Sequence, residues 1–174
     1  LHTSAGLAGF DPYAPTTVST LSNKGYDYWA LGHIHSYQVL NQSPKIVFPG
    51  CIQGRNFNEM GHKGACLVSV KNHDRVDVQF HVLSSIVWEK VELDCSGFEN
   101  LDTLKAEIQK SAEVLKKKYP QMEFLLLKVV LKGQLESALV EEEGFIEHAM
   151  QLWLDEVSES YFRLQECHNQ TLLS

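Results

Sequence analysis

The segment "YDYWALGHIHSYQVL", residues 26–40, ends an apolar run with two histidines two positions apart, directly after a glycine. In an extended segment residues i and i+2 project to the same side, so we expect His33 and His35 to face one point while Ile34 packs into the core. Gly32 permits a close approach without a Cβ clash. Neutral imidazole is a good ligand for Zn, Mn and Fe ions. The segment predicts a metal site at a strand end, although a bare His-x-His is more often a pair of hydrogen-bonded surface histidines.

Residues 1–88 are expected to form short elements joined by tight turns. The stretch "PTTVSTLSNKG" predicts a helix with Pro15 at its entry and Gly25 at its end. The runs "YDYWALG" and "KIVFPG" predict strands, because they are short, aromatic or β-branched, and bounded by glycine or proline. The alternating pattern of "GACLVSVKNHDRVDVQFHVL" predicts a hairpin that turns at "KNHD". These elements favour a layered α/β architecture.

Residues 89–174 are predicted to form a second, small α/β domain. A strand over 86–93 leads into it, and the order helix, strand, helix follows, with a strand at "MEFLLLKVVLKG". Each predicted helix has an apolar stripe at helical spacing. The two stripes are Leu101, Leu104, Ile108, Ala112 and Leu115, and then Phe145, Ile146, Ala149, Leu152, Trp153 and Val157.

Charge and composition narrow the possible functions. Six basic and five acidic residues give 1–88 a net charge of +1, whereas nine basic and seventeen acidic residues give 89–174 a net of -8. Binding to nucleic acid depends on Lys and Arg, so we expect any such contact from the first half. No apolar run approaches the length of a membrane span, and no signal peptide is recognisable. Four scattered cysteines suggest reduced thiols in a cytoplasmic protein.

The stretch "DYWALGHIHSYQVL" followed by "KIVFPGCIQGRNFNEMGHKGACLVSV" resembles the calcineurin-like metallophosphoesterases, whose last motif is Gly-His-x-His. Within that superfamily it looks most like the bacterial DNA-repair exonucleases of the SbcD type. The resemblance covers residues 1 to about 90. It implies that residues 1–88 are the C-terminal half of a layered β-sandwich core, and that 89–174 form the family's α/β capping domain.

The resemblance also implies a set of metal ligands. The family binds two divalent metal ions, here expected to be manganese, which activate water for in-line attack on a phosphodiester. His33 would bind one ion and His35 the other, and His2 would complete the ligands of the second ion. Without the resemblance, His2 would be a lone residue near a terminus.

Three family motifs do not occur in this sequence. Asp-x-His, Gly-Asp-x-x-Asp and Gly-Asn-His-Asp supply the remaining ligands and the catalytic histidine in the family, and "LDCSG" and "WLDEV" do not match them. Three imidazoles alone leave the repulsion between two dications without a carboxylate to offset it. We therefore expect that the chain is the C-terminal part of a longer enzyme, that it holds no catalytic residue of its own, and that it is inactive alone.

The glycine-marked loop "CIQGRNFNE" holds two further candidates. Arg55 and Asn56 are predicted to bind the substrate, since a guanidinium pairs bidentately with phosphate. Bracing of the loop by Arg55 is an equally good interpretation. His62, in a predicted turn, and His81, in a hairpin strand, are expected to be structural or exposed. His148, in a predicted helix, and His168, in a tail, have no partner at ligand spacing, and Cys51 has no nearby base in the sequence.

Three functions are compatible with these features. The first is a metal-dependent DNA exonuclease for double-strand-break repair, whose partners by resemblance would be DNA and an SMC-like coiled-coil ATPase. The second is a nucleotide phosphodiesterase or phosphatase of the same superfamily. The third is a non-catalytic module that docks onto the ATPase. Homodimer formation is left open by the sequence.

Overall fold

The computed structural model describes residues 1–9, 13–71, 75–135, 144–170 and 172–173. The chain divides into two compact units. Unit 1 comprises Leu1–Gly54 and His62–Ser84, and unit 2 comprises Arg55–Gly61 and Ser85–Ser174. The predicted α/β fold class is confirmed, because both units contain sheets and both contain helix. The elements of unit 1 are α1 Val18–Ser22, β1 Tyr28–Ala30, β2 Gln38–Gln42, β3 Lys45–Phe48, β4 Gly64–Lys71 and β5 Arg75–Val82. Those of unit 2 are β6 Ile86–Asp94, α2 Leu101–Lys118, β7 Phe124–Lys132, β8 Gln134–Leu135, α3 Phe145–Val157, β9 Phe162–Asn169 and β10 Leu172–Leu173.

The central sheet of unit 1 has the order β1-β3-β2. Strand β1 runs parallel to β3, and β2 runs antiparallel to it. The three residues Ile46, Val47 and Phe48 of β3 are fully buried, as expected for the middle strand of a sheet. Helix α1 adds the buried Leu21 to this core.

Two sequence predictions for this sheet need correction. The first helix begins at Val18 and not at Pro15, because the side chain of Thr17 accepts a hydrogen bond from the Thr20 amide and caps the helix there. The strand β2 was not predicted, since "QVLNQ" is mostly polar. It forms because its backbone pairs with the apolar β3.

The predicted hairpin is confirmed as β4 and β5, with Cys66 opposite Phe80 and Val68 opposite Val78. Its predicted turn, "KNHD", lies outside the described residues apart from Lys71. Gly64 is required at the open end of the ladder, because a Cβ there would lie 1.9 Å from the carbonyl oxygen of His81.

Unit 2 is built on a parallel three-stranded sheet of order β6-β7-β9. Alternate residues of β7 pack with the buried stripe of α2, which confirms the predicted core positions Leu104, Ile108, Ala112 and Leu115. Asn100 caps this helix, and three lysines in its last turn complement its dipole.

The second predicted stripe is only partly right. Ile146 and Ala149 are buried, but Phe145 and Leu152 are about half exposed. Met150 and Leu154 occupy the buried positions instead. The buried face of α3 is the one that packs against the strand that follows it. This strand, β9, was not predicted, and it places His168 in a sheet and not in a tail.

The four cysteines are free thiols. No helix among the described residues is long and apolar enough to cross a membrane.

Candidate metal site

The pairing of Leu1–Thr3 with the end of β1 brings two predicted ligands together. The Gly32 amide donates to the Leu1 carbonyl at 2.8 Å, and the Thr3 amide donates to the Gly32 carbonyl at 3.1 Å. This short parallel bridge sets His2 beside Gly32. The N-terminal segment therefore lies beside the chain just beyond the carboxyl end of β1. Open α/β sheets place their ligand sites at this end of their strands.

The imidazoles of His2 and His33 face each other. His2 Nε2 and His33 Nδ1 are 3.3 Å apart, and the ring centroids are separated by 5.1 Å. Two imidazole nitrogens that each lie about 2.0–2.1 Å from a tetrahedral cation are about 3.3–3.4 Å from each other. The observed separation therefore matches two adjacent positions around one ion, whereas the resemblance implied that His2 and His33 bind different ions. The same distance also suits a hydrogen bond between the two rings, whose donor depends on the tautomers.

Gly32 is the residue that permits this approach. A Cβ at position 32 would lie 3.2 Å from His2 Nδ1, which is tighter than ordinary van der Waals contact. This contact explains why the two histidines of "GHIH" follow a glycine.

His33 adopts a backbone conformation that L residues rarely occupy, with φ of 110°. Such conformations cost on the order of 1–3 kcal/mol and persist only where the surroundings enforce them. The neighbouring Ile34, only 2% exposed, anchors the turn in the core of unit 1 as predicted.

Tyr13 is a site residue that sequence reasoning missed. Its ring stacks on His33 with centroids 5.8 Å apart and meets His2 edge-on at 4.9 Å. It is held by its backbone, whose carbonyl accepts from the Ser4 amide. A tyrosine in an irregular, proline-flanked segment gives no periodic signal that could have revealed this contact.

The structure corrects the strand argument for His33 and His35. Strand β1 ends at Ala30, and the φ of His33 breaks the extended pattern, so their orientation does not follow from the i, i+2 rule. The ring of His35 is exposed, and its carbonyl accepts hydrogen bonds from Lys63 Nζ at 3.2 Å and from Cys51 Sγ at 3.5 Å. The role of His35 as a ligand stays a prediction.

Arg55 and Asn56 lie in a turn that belongs to unit 2. The Arg55 guanidinium forms a two-pronged ion pair with Glu59, with contacts of 2.7 Å and 3.3 Å. The side chain of Asn56 accepts from the Asn58 amide and closes the same turn. These contacts support the bracing interpretation, and phosphate binding by either residue stays a prediction.

The donor set fits one transition-metal ion in part. Two neutral imidazoles offer lone pairs at the correct separation when His2 carries its proton on Nδ1 and His33 on Nε2. Among the described residues, no cluster of three metal-ligating side chains includes His2 or His33. The pair therefore needs further ligands, and carboxylates are required before two dications can be held close together.

Comparison with known proteins is consistent with this chemistry. No family model matches the chain. Over 143 residues it is 37% identical to the uncharacterized metallophosphoesterase YhaO of Bacillus subtilis (strain 168). The chain is similar to a metallophosphoesterase. The aligned region is 81% of this chain and 34% of the relative, so the chain spans about a third of that relative's length. The similarity supports the calcineurin-like family, the broader of the two assignments made from the sequence.

Proposed function

We propose that the chain supplies imidazole ligands to a metal-dependent phosphoester hydrolase whose substrate is a DNA phosphodiester bond. The observation that carries the proposal is the 3.3 Å separation of His2 Nε2 and His33 Nδ1 at the carboxyl end of β1. The similarity to YhaO supports the hydrolase class. The finer assignment, to an SbcD-type exonuclease of double-strand-break repair, rests on the motif resemblance alone.

Four residues of the site have definable tasks in this proposal. His2 and His33 bind the cation, Gly32 leaves room for the His2 ring, and Tyr13 limits the rotation of both rings. A divalent cation held there supplies Lewis-acid chemistry, because it makes water more acidic and offsets phosphoryl charge. The remaining ligands, manganese as the natural ion, and an SMC-like ATPase as the partner are parts of the same proposal.

Calorimetric titration of the chain with Mn²⁺ tests the metal site. His2→Ala and His33→Ala should each weaken binding at least tenfold, because each removes a ligand. His81→Ala, an exposed histidine of β5, is the matched control and should leave the affinity unchanged. Equal affinities in all four proteins would contradict the proposal.

Substrate class is tested separately. Hydrolysis of linear duplex DNA is compared with hydrolysis of a cyclic nucleotide and of a nitrophenyl ester, in Mn²⁺ and in EDTA. The assay uses the chain and, if it stands in a longer gene product, that product as well. Activity on DNA that is lost in His33→Ala supports the proposal. Activity confined to the small esters would replace DNA with a nucleotide substrate.

A further inference from the structure

Lys63 is a lysine buried to the level of a core residue, with 4% of its surface exposed. Its backbone is fixed from both sides by Ser84, whose hydroxyl oxygen accepts from the Lys63 amide at 3.1 Å and whose amide donates to the Lys63 carbonyl at 3.1 Å. Leu83 donates to the same carbonyl at 3.0 Å. These three hydrogen bonds fix the Lys63 backbone and therefore the position of its Cβ.

The side chain of Lys63 reaches the turn that follows β1. Its Nζ donates to the carbonyl oxygen of His35 at 3.2 Å, and the thiol of Cys51 reaches the same oxygen at 3.5 Å. The turn between β1 and β2 has no strand ladder to satisfy this carbonyl. Gly50 also lies against it, because a Cβ there would come within 3.1 Å of the His35 oxygen.

A buried ammonium at this position is unfavourable for two reasons. Burial of a charge costs free energy unless strong partners offset the lost hydration. If the His35 imidazole binds a cation, the positive charge of Lys63 also repels that cation. Placement of Lys63 at His35 in spite of both effects indicates that it fixes the geometry of the turn. Groups that orient ligands in this way typically change metal affinity by about 10–100-fold when they are removed.

We propose that Lys63 is a positioning residue, which holds the Gly-His-Ile-His turn through the His35 carbonyl so that the His35 imidazole is presented to a cation. The inference rests on the proposed function, with His35 taken as one of the remaining ligands of the cation. It adds to the site a residue outside the Gly-His-Ile-His motif, from the glycine-flanked segment "GHKG". Ile34 anchors the turn on its core side, and Lys63 anchors it at the next residue.

The test compares Lys63→Met with Lys71→Met in the full chain. Methionine keeps the unbranched side chain and removes the ammonium, and Lys71 is an exposed lysine of β4 that controls for the change in net charge. In metal-free protein, Lys63→Met should shift the ¹³C resonance of the His35 carbonyl, and Lys71→Met should not. With Co²⁺ as the probe, Lys63→Met should weaken binding about tenfold and alter the visible absorption spectrum.

Thermal unfolding in EDTA separates positioning from a purely structural role. A structural role alone would lower the unfolding temperature and leave the Co²⁺ affinity and spectrum of the folded protein unchanged, which would overturn the inference. If Lys63→Met does not fold, the scalar coupling across the hydrogen bond between Lys63 Nζ and the His35 carbonyl carbon is measured in the unsubstituted chain. Its presence supports the inference and its absence overturns it.

Failure of the proposed function gives a different pattern. An unsubstituted chain that binds no Co²⁺, or that binds it equally after His2→Ala, contradicts the metal site itself. The metal-free ¹³C shift of the His35 carbonyl then still decides whether Lys63 fixes the turn. An unchanged shift overturns the inference whatever the metal data show.

Discussion

His33 has an unfavourable backbone conformation that the surrounding fold maintains. Its φ of 110° is unfavourable for any side chain with a Cβ, and glycine alone is relieved of that cost. The neighbours on both sides leave little freedom, since Gly32 is paired with the N-terminal segment and Ile34 is buried. Such residues are concentrated at functional sites.

The strain at His33 predicts the sign of a stability change. In metal-free protein, His33→Gly should be more stable than His33→Ala by about 1 kcal/mol, because glycine adopts positive φ without a Cβ clash. Urea unfolding in EDTA measures the difference. His35 does not have positive φ, so His35→Gly should be less stable than His35→Ala. The same order of stability at both positions would contradict this account.

Gly32 should be intolerant of even the smallest side chain. In Gly32→Ala the new Cβ would press on His2 Nδ1 at 3.2 Å, so the ring must turn and Mn²⁺ affinity should fall about tenfold. A double-mutant cycle with His2→Ala isolates the cause. Once His2 is absent, Gly32→Ala should have no further effect on affinity, and a full loss in both backgrounds would point to a backbone effect instead.

At the scale of elements, strands β6 and β7 are linked by a charged cluster on the sheet of unit 2. Glu92 accepts from Lys132 at 2.6 Å and pairs with Lys90 through its other oxygen. These two lysines, Lys132 first, lower the pKa of Glu92 from 4.5 to about 2. The Glu92 side chain is exposed to solvent, so screening keeps the contribution of its ion pairs to stability small.

This pKa gives a definite direction of pH dependence. Because the folded pKa lies below the unfolded one, the contribution of Glu92 is present above about pH 4.5 and is lost as the pH falls towards 2. NMR titration of the Glu92 carboxyl carbon should give a midpoint near 2. In Lys132→Met the midpoint should rise, whereas Lys110→Met, on helix α2, should leave it unchanged. A midpoint near 4.5 in the unsubstituted chain would contradict the ion-pair geometry.

At the scale of the whole molecule, each unit has a core of its own. The core of unit 1 centres on Ile46 and Phe48, and that of unit 2 centres on α2 and β7. The candidate metal ligands His2, His33 and His35 belong to unit 1. A bound ion should therefore stabilise the two cores unequally.

Hydrogen exchange read by mass spectrometry tests this expectation. At a Mn²⁺ concentration of about 100 times the Kd, binding adds about 2.7 kcal/mol, so amides of β1 and β3 should exchange up to about 100-fold more slowly. Amides of β6 and β7 should change much less. His33→Ala should abolish the difference, and equal protection of both sheets would contradict separate stabilisation.

Most elements with a strong local pattern were predictable from the sequence. The apolar stripe of α2 and the alternation of β4 and β5 follow from the order of the residues. The short β-branched run of β3 likewise predicts a strand, which is buried on both faces. Strands β2 and β9 were not predictable, because their sequences are mixed and they form by pairing with apolar neighbours. The true face of α3 was missed for a related reason, since packing of the helix on the sheet decides it.

The sequence by itself indicated an apolar strand shortly before Gly-His-Ile-His and an α/β fold class, because periodicity and chain punctuation are local properties. The tertiary structure decided which histidine faces His33, why position 32 is glycine, and which lysine reaches the turn. His2 and His33 are 31 residues apart, and Lys63 and His35 are 28 residues apart. Contacts over such separations depend on the register of strand pairing, which no short stretch of residues specifies on its own.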